Sequence, residues 1–82
     1  MNCELSQVLL VVSRMVALTR GVPPESIQPS TKLLQEGLLD SFGLVDLVLE
    51  LETVLGAKIP QTSLLPEDFE TPEVLCERLK QL

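Results

Sequence analysis

The sequence predicts an all-α fold, a small four-helix bundle with a long loop between its first and second helices. Three observations predict it. Apolar residues recur at three- and four-residue steps in separate stretches, glycine and proline punctuate the ends of those stretches, and no β-alternation follows the first of them. At 82 residues the chain, 1–82, has room for one domain with a single modest core.

The first helix is predicted from Cys3 to Arg20. Leu5, Val8, Leu9, Val12, Met15, Val16 and Thr19 fall on one face, and Gly21, Pro23 and Pro24 end it. The next twenty or so residues, Gly21 to Asp40, read as a connection too long for an ordinary turn. Ile27, Leu33, Leu34, Leu38 and Leu39 are spaced along it as apolar anchors, which predicts a loop laid over the helices and pinned to the core. A short helix inside this stretch is the alternative.

The second helix runs from Ser41 or Phe42 to Leu55 and stops at Gly56. Leu44, Leu47, Val48, Leu51, Val54 and Leu55 share one arc and are expected to face the core. Phe42, Val45 and Leu49 lie on the other side beside Asp46 and Thr53, an apolar strip edged by acid that a small monomer has no internal use for. After Lys58, Ile59 and Pro60 comes a turn-rich segment with a single helical turn near Pro66 to Phe69. Thr71, Pro72 and Glu73 then open a last helix with Leu75, Leu79 and Leu82 on one face.

Composition narrows the chemistry. Twelve acidic and six basic residues give a net charge of -6, which repels phosphate backbones and anionic lipid, so no nucleic acid is expected as a partner and no membrane insertion. The absence of histidine removes the commonest general base and metal ligand. The longest apolar runs, such as Val8 to Val12, are far too short to span a bilayer, and Glu4 spoils a basic signal-peptide start, so a cytoplasmic protein is expected. Cys3 and Cys76 lie at opposite ends of the chain without metal-ligand spacing, which argues against a disulfide framework or a zinc site. Cys76 reads as core filler and Cys3 as a frayed end.

The run Gly37 to Gly43, GLLDSFG, sets an Asp-Ser pair at the mouth of the second helix. The first N–H groups of a helix lack internal partners and carry partial positive charge, so a phosphate attached to Ser41 would be well accommodated there. Gly43 would keep that first turn uncrowded. Asp40 or Ser41 acting only as a helix cap explains the same residues. Serine hydrolysis finds no support, because Ser41 lacks both the Gly-x-Ser-x-Gly elbow and a histidine. An EF-hand fails as well, since oxygen ligands do not recur at alternate positions after Asp40.

The wider run EGLLDSFGLVDLVLELE, Glu36 to Glu52, resembles the attachment region of the acyl and peptidyl carrier protein family, whose signature is Asp-Ser-Leu at the start of its second helix. The order of elements resembles that family along nearly the whole chain. GLLDSFG and the later DFETP, Asp68 to Pro72, are most similar to the D-alanyl and other free-standing aminoacyl carriers. Phe42 in place of the usual leucine, and Gly43 in place of a common acid, depart from the fatty-acid type.

The resemblance implies a non-catalytic carrier. A separate phosphopantetheinyl transferase would attach 4'-phosphopantetheine from coenzyme A to Ser41, beside Asp40, and the arm's terminal thiol would hold an acyl or aminoacyl group as a thioester. An acyl- or aminoacyl-activating ligase and a downstream acyl transferase or synthase would be further partners, in fatty acid, secondary metabolite or aminoacyl chemistry. They would meet Phe42, Val45, Asp46 and Leu49, with Glu36, Glu50 and Glu52 adding longer-range attraction. The competing expectation is an unmodified helical adaptor docking through the same exposed face. No metal is implied, and a monomer is expected.

Overall fold

The computed structural model describes residues 3–60 and 64–82, with Ser41 described by its backbone only. Among the described residues three α-helices and two short 3-10 turns account for the regular structure: α1 (Leu5–Arg20), a turn at Pro24–Ser26, α2 (Ser41–Leu55), a turn at Pro66–Phe69, and α3 (Pro72–Lys80). The all-α expectation holds. The predicted fourth member is the 3-10 turn Pro66–Phe69, whose backbone bonds, Asp68 N–H to the Leu65 carbonyl and Glu70 N–H to the Glu67 carbonyl, run from i to i-3 rather than i to i-4.

α1 is the central helix and packs against both α2 and α3. Val8, Val12 and Val16 form the expected stripe, but Val11, which the one-face reading leaves out, is buried with them. Two-sided packing explains this, because the sector covered by two neighbours is wider than the stripe covered by one. Thr19 departs in the other direction. It lies a turn beyond the last packed valine and is exposed, its hydroxyl donating to the Met15 carbonyl at 2.9 Å. Ser13, buried among the valines, donates its hydroxyl to the Leu9 carbonyl at 2.6 Å. Gly21 ends the helix at φ 70°, a conformation that side chains with a Cβ resist, and its N–H donates to the Ala17 carbonyl.

The long connection is anchored as its apolar spacing predicts. Ile27, Leu33 and Leu39 are buried, and Leu34 and Leu38 pack half-buried against them. Backbone bonds hold the loop to the start of α3: Leu33 N–H donates to the Glu70 carbonyl at 2.8 Å, and Glu73 N–H donates to the Pro29 carbonyl at 3.0 Å. An exposed ion pair, Lys32 with Glu70 at 3.1 Å, crosses the same seam.

On α2, Leu47, Val48 and Leu51 are buried while Leu44 and Leu55 pack half-buried against the core. Val54 does not face inward. It stands at the edge of that arc on the last turn, and it is exposed. Beyond Gly56 the chain turns back, and Ile59, buried, donates its N–H to the Glu52 carboxylate at 2.6 Å. Glu52 therefore holds the exit of α2 rather than serving only as a surface charge. The part of the predicted turn-rich segment at 61–63 lies outside the described residues.

Asp68 carries the second 3-10 turn. One carboxylate oxygen accepts from Leu65 N–H at 2.8 Å and the other lies 3.1 Å from Arg78 Nε, tying the turn to α3. Thr71 caps α3 by accepting from Val74 N–H at 3.1 Å, and Pro72 occupies the first helical position. Leu75, Cys76 and Leu79 are buried. Leu82 is not part of that face, because α3 ends at Lys80 and leaves Leu82 exposed beyond it. Cys3 is not a frayed end either: it is buried, with its sulfur 3.9 Å from that of Cys76.

Candidate functional site at the mouth of the second helix

The site is built where the long connection delivers the chain into α2. Leu39 is buried and fixes the approach, and Asp40 follows in extended conformation as the N-cap. Asp40 Oδ1 accepts from Gly43 N–H at 2.7 Å, and its carbonyl accepts from Leu44 N–H at 3.0 Å. The cap expected of either Asp40 or Ser41 is thus made by the Asp40 side chain. Its second oxygen, Oδ2, lies 3.2 Å from Arg20 Nη2, so the last residue of α1 is tied to the first turn of α2.

Gly43 has a packing reason to be glycine. A Cβ at that position would lie 3.3 Å from Asp40 Oδ1 and 3.5 Å from Leu39 Cδ2, close enough to press on the cap. Ser41 is the first residue of the fifteen-residue helix, immediately after the cap. Its side chain lies outside the described residues. The backbone at this end brings first-turn N–H groups and the positive end of the helix dipole to the serine position.

Away from the core, α2 presents Phe42, Val45 and Leu49 at 84%, 49% and 50% exposure, with Asp46 and Glu50 exposed beside them. The positions i, i+3 and i+7 share a face that runs about 10 Å along the helix. Among the grooves beside the strip, two lie near its start. One, of about 350 Å³, lies between the end of α1 and the start of α2 against Met15, Leu38, Phe42 and Asp46. The other, about 290 Å³, is apolar and lies between α2 and the second 3-10 turn, lined by Leu44, Val45, Val48, Leu64 and Phe69.

The structure therefore brings together Asp40, the serine position, Phe42, Val45, Asp46 and Leu49 along one continuous edge of α2. Arg20 escaped the sequence reading. It gives no local signal, because its contact with Asp40 spans the entire connecting loop. Among the described residues no group of three histidine, cysteine, aspartate or glutamate side chains is placed to hold a metal ion. No helix among them is long and apolar enough to cross a membrane.

Comparison with known proteins places the chain in a family. The profile described as "Phosphopantetheine attachment site" matches residues 11–79, most of the chain. Among similar proteins, a D-alanyl carrier protein of Bacillus pumilus is 37% identical over 54 residues, 66% of this chain and 69% of its own. The D-alanyl carrier protein of Bacillus subtilis is 35% identical over the same span and coverage. D-alanyl carrier protein 2 of Lactiplantibacillus plantarum is 38% identical over 50 residues, 61% of this chain and 62% of its own.

Proposed function

Because this chain belongs to the phosphopantetheine-bearing carrier protein family, we propose that Ser41 is the residue that carries the arm, that the exposed edge of α2 receives the partner enzymes, and that the cargo is an amino acid, with D-alanine the first candidate. The chain is a carrier and not a catalyst, and its prosthetic group is covalently attached 4'-phosphopantetheine. When bound, that group supplies a terminal thiol on which cargo is held as a thioester.

The observation that carries the assignment to Ser41 is its place as the first residue of α2, directly after an aspartate that caps the helix. Asp40 holds the first turn in shape, Arg20 holds Asp40, and Gly43 leaves the cap unobstructed. First-turn N–H groups offer partial positive charge to a phosphodiester at the serine. The neighbouring Phe42 is almost fully exposed, which suits a position that a transferase must reach. These residues fit the group.

Phe42, Val45 and Leu49 supply apolar contact to visiting enzymes, and Asp46 with Glu50 supplies charge that attracts basic partner surfaces. The partners in this reading are a phosphopantetheinyl transferase, an amino-acid-activating ligase and a downstream acyl transferase. We place the chain as one carrier domain of the acyl carrier type in the cytoplasm. The 3-10 turn Pro66–Phe69 takes the place of the short third member of the four-helix arrangement. The D-alanine assignment rests on the names of the similar proteins.

Incubation of the purified chain with coenzyme A and a broad-specificity phosphopantetheinyl transferase tests the site. Intact mass should rise by one phosphopantetheine, and Ser41→Ala should show no rise. An unchanged wild-type mass, or an equal gain in the variant, overturns the assignment. The mass of the loaded carrier isolated from its native host then identifies the cargo.

A further inference from the structure

Cys3 and Cys76 stand apart from the site, and folding brings them together across 73 positions of sequence. Cys76 is held on α3, flanked by the buried Leu75 and Leu79, while Cys3 lies in the segment just before α1. Both thiols are buried, at 4% and 2% exposure, and the sulfurs are 3.9 Å apart. Each sulfur also lies 4.0 Å from a backbone carbonyl, Cys3 from that of Glu4 and Cys76 from that of Cys3. We propose that Cys3 and Cys76 form an oxidisable pair that closes into a single intramolecular disulfide, stapling the segment before α1 to α3.

A disulfide requires the sulfurs to approach by roughly 2 Å more. Cys3 precedes the first helical residue, so its segment can make that movement while the α3 ladder stays intact. With an oxidised low-molecular-weight disulfide as oxidant, one cysteine attacks as thiolate and forms a mixed disulfide, releasing one small thiol. The second cysteine then displaces the other small thiol and the protein S–S bond forms. Two protein thiols are oxidised, one small-molecule disulfide is reduced to two thiols, and the protons lost by the cysteines end on those thiols.

Burial slows the first step. Desolvation and then the neighbouring Cys76 push the Cys3 thiol up to about 11, opposed by Lys80 and the amino-terminal charge. The pair therefore stays reduced under brief or mild exposure and closes when the segment before α1 opens. The bond would close a loop spanning nearly the whole described chain, the case in which a cross-link restricts the unfolded state most.

The test uses the full chain prepared without phosphopantetheine, so that no third thiol takes part. After incubation with oxidised glutathione in mildly alkaline buffer, it is denatured and treated with iodoacetamide. The expected product is a monomer lighter by two hydrogens that takes up no alkyl group, with peptide mapping joining Cys3 to Cys76. Its melting temperature should rise by roughly 10 °C and return on reduction. Cys3→Ser and Cys76→Ser should each show no such rise. Two alkyl groups on the incubated wild type, retained glutathione, or a disulfide-linked dimer would each overturn the proposal and leave the pair as core filling, whatever the outcome at Ser41.

Discussion

The guanidinium of Arg20 lies 3.2 Å from the carboxylate of Asp40, joining the last residue of α1 to the cap of α2 across the nineteen residues between them. The two oxygens of Asp40 do different things. Oδ1 satisfies a backbone N–H of the first turn, which is a local helix interaction, and Oδ2 meets a cation half open to solvent. Capping is worth about 1 kcal/mol, whereas an exposed ion pair is commonly worth less than about 1 kcal/mol.

Asp40→Ala should therefore destabilise the chain by about 1 kcal/mol, while Asp40→Asn, which keeps an acceptor for Gly43 N–H, and Arg20→Ala should each cost less than half of that. Urea denaturation midpoints measure all three. If Asn is as costly as Ala, the ion pair rather than the cap is the main contribution of this residue.

Two leucines on α2, two positions apart, should separate stability from docking. Leu47 is fully buried and Leu49 is half exposed. Leu47→Ala should cost about 2–5 kcal/mol in folding stability. Leu49→Ala should stay within about 0.5 kcal/mol of wild type yet raise the KM of the loading enzyme for the carrier. Equal destabilisation by the two substitutions would place Leu49 in the core and remove it from the partner face.

Asp46 is exposed and makes no ion pair among the described residues. Asp46→Lys should slow the association of loading enzymes and flatten the dependence of that rate on salt, since both effects arise from attraction screened over about 10 Å at moderate ionic strength. Stopped-flow association at low and high salt is the measurement. An unchanged rate at low salt would show that the acidic edge takes no part in recognition.

What could be read along the chain is what local chemistry decides. The glycine stops at Gly21 and Gly56, the Thr71–Pro72 opening of α3 and the turn at Pro66–Phe69 each depend on a few adjacent residues, and each lies where the sequence places it. The outward strip of α2 was legible for the same reason, since helical spacing alone separates Phe42, Val45 and Leu49 from Leu47 and Leu51. Contacts between distant segments left no such trace. Arg20 with Asp40, Glu52 with Ile59 N–H, the loop sewn to Glu70 and Glu73, and Cys3 beside Cys76 arise only once the helices have docked. Val11 falls outside a one-face pattern because two neighbours cover α1, Val54 stands at the edge of the packed arc of α2, and the periodicity reaching Leu82 continues past the end of α3.

The burial of Cys3 and Cys76 bears on fidelity of loading. An activated acyl or aminoacyl group reacts with any accessible thiolate, and a carrier with a surface cysteine would acquire cargo at the wrong place or lose it by acyl migration from the arm. Here the polypeptide's own sulfurs are withdrawn from solvent, as thiols or once joined to each other. On the proposed arm, the thiol at its tip is then the one that visiting enzymes can reach, so cargo is directed there.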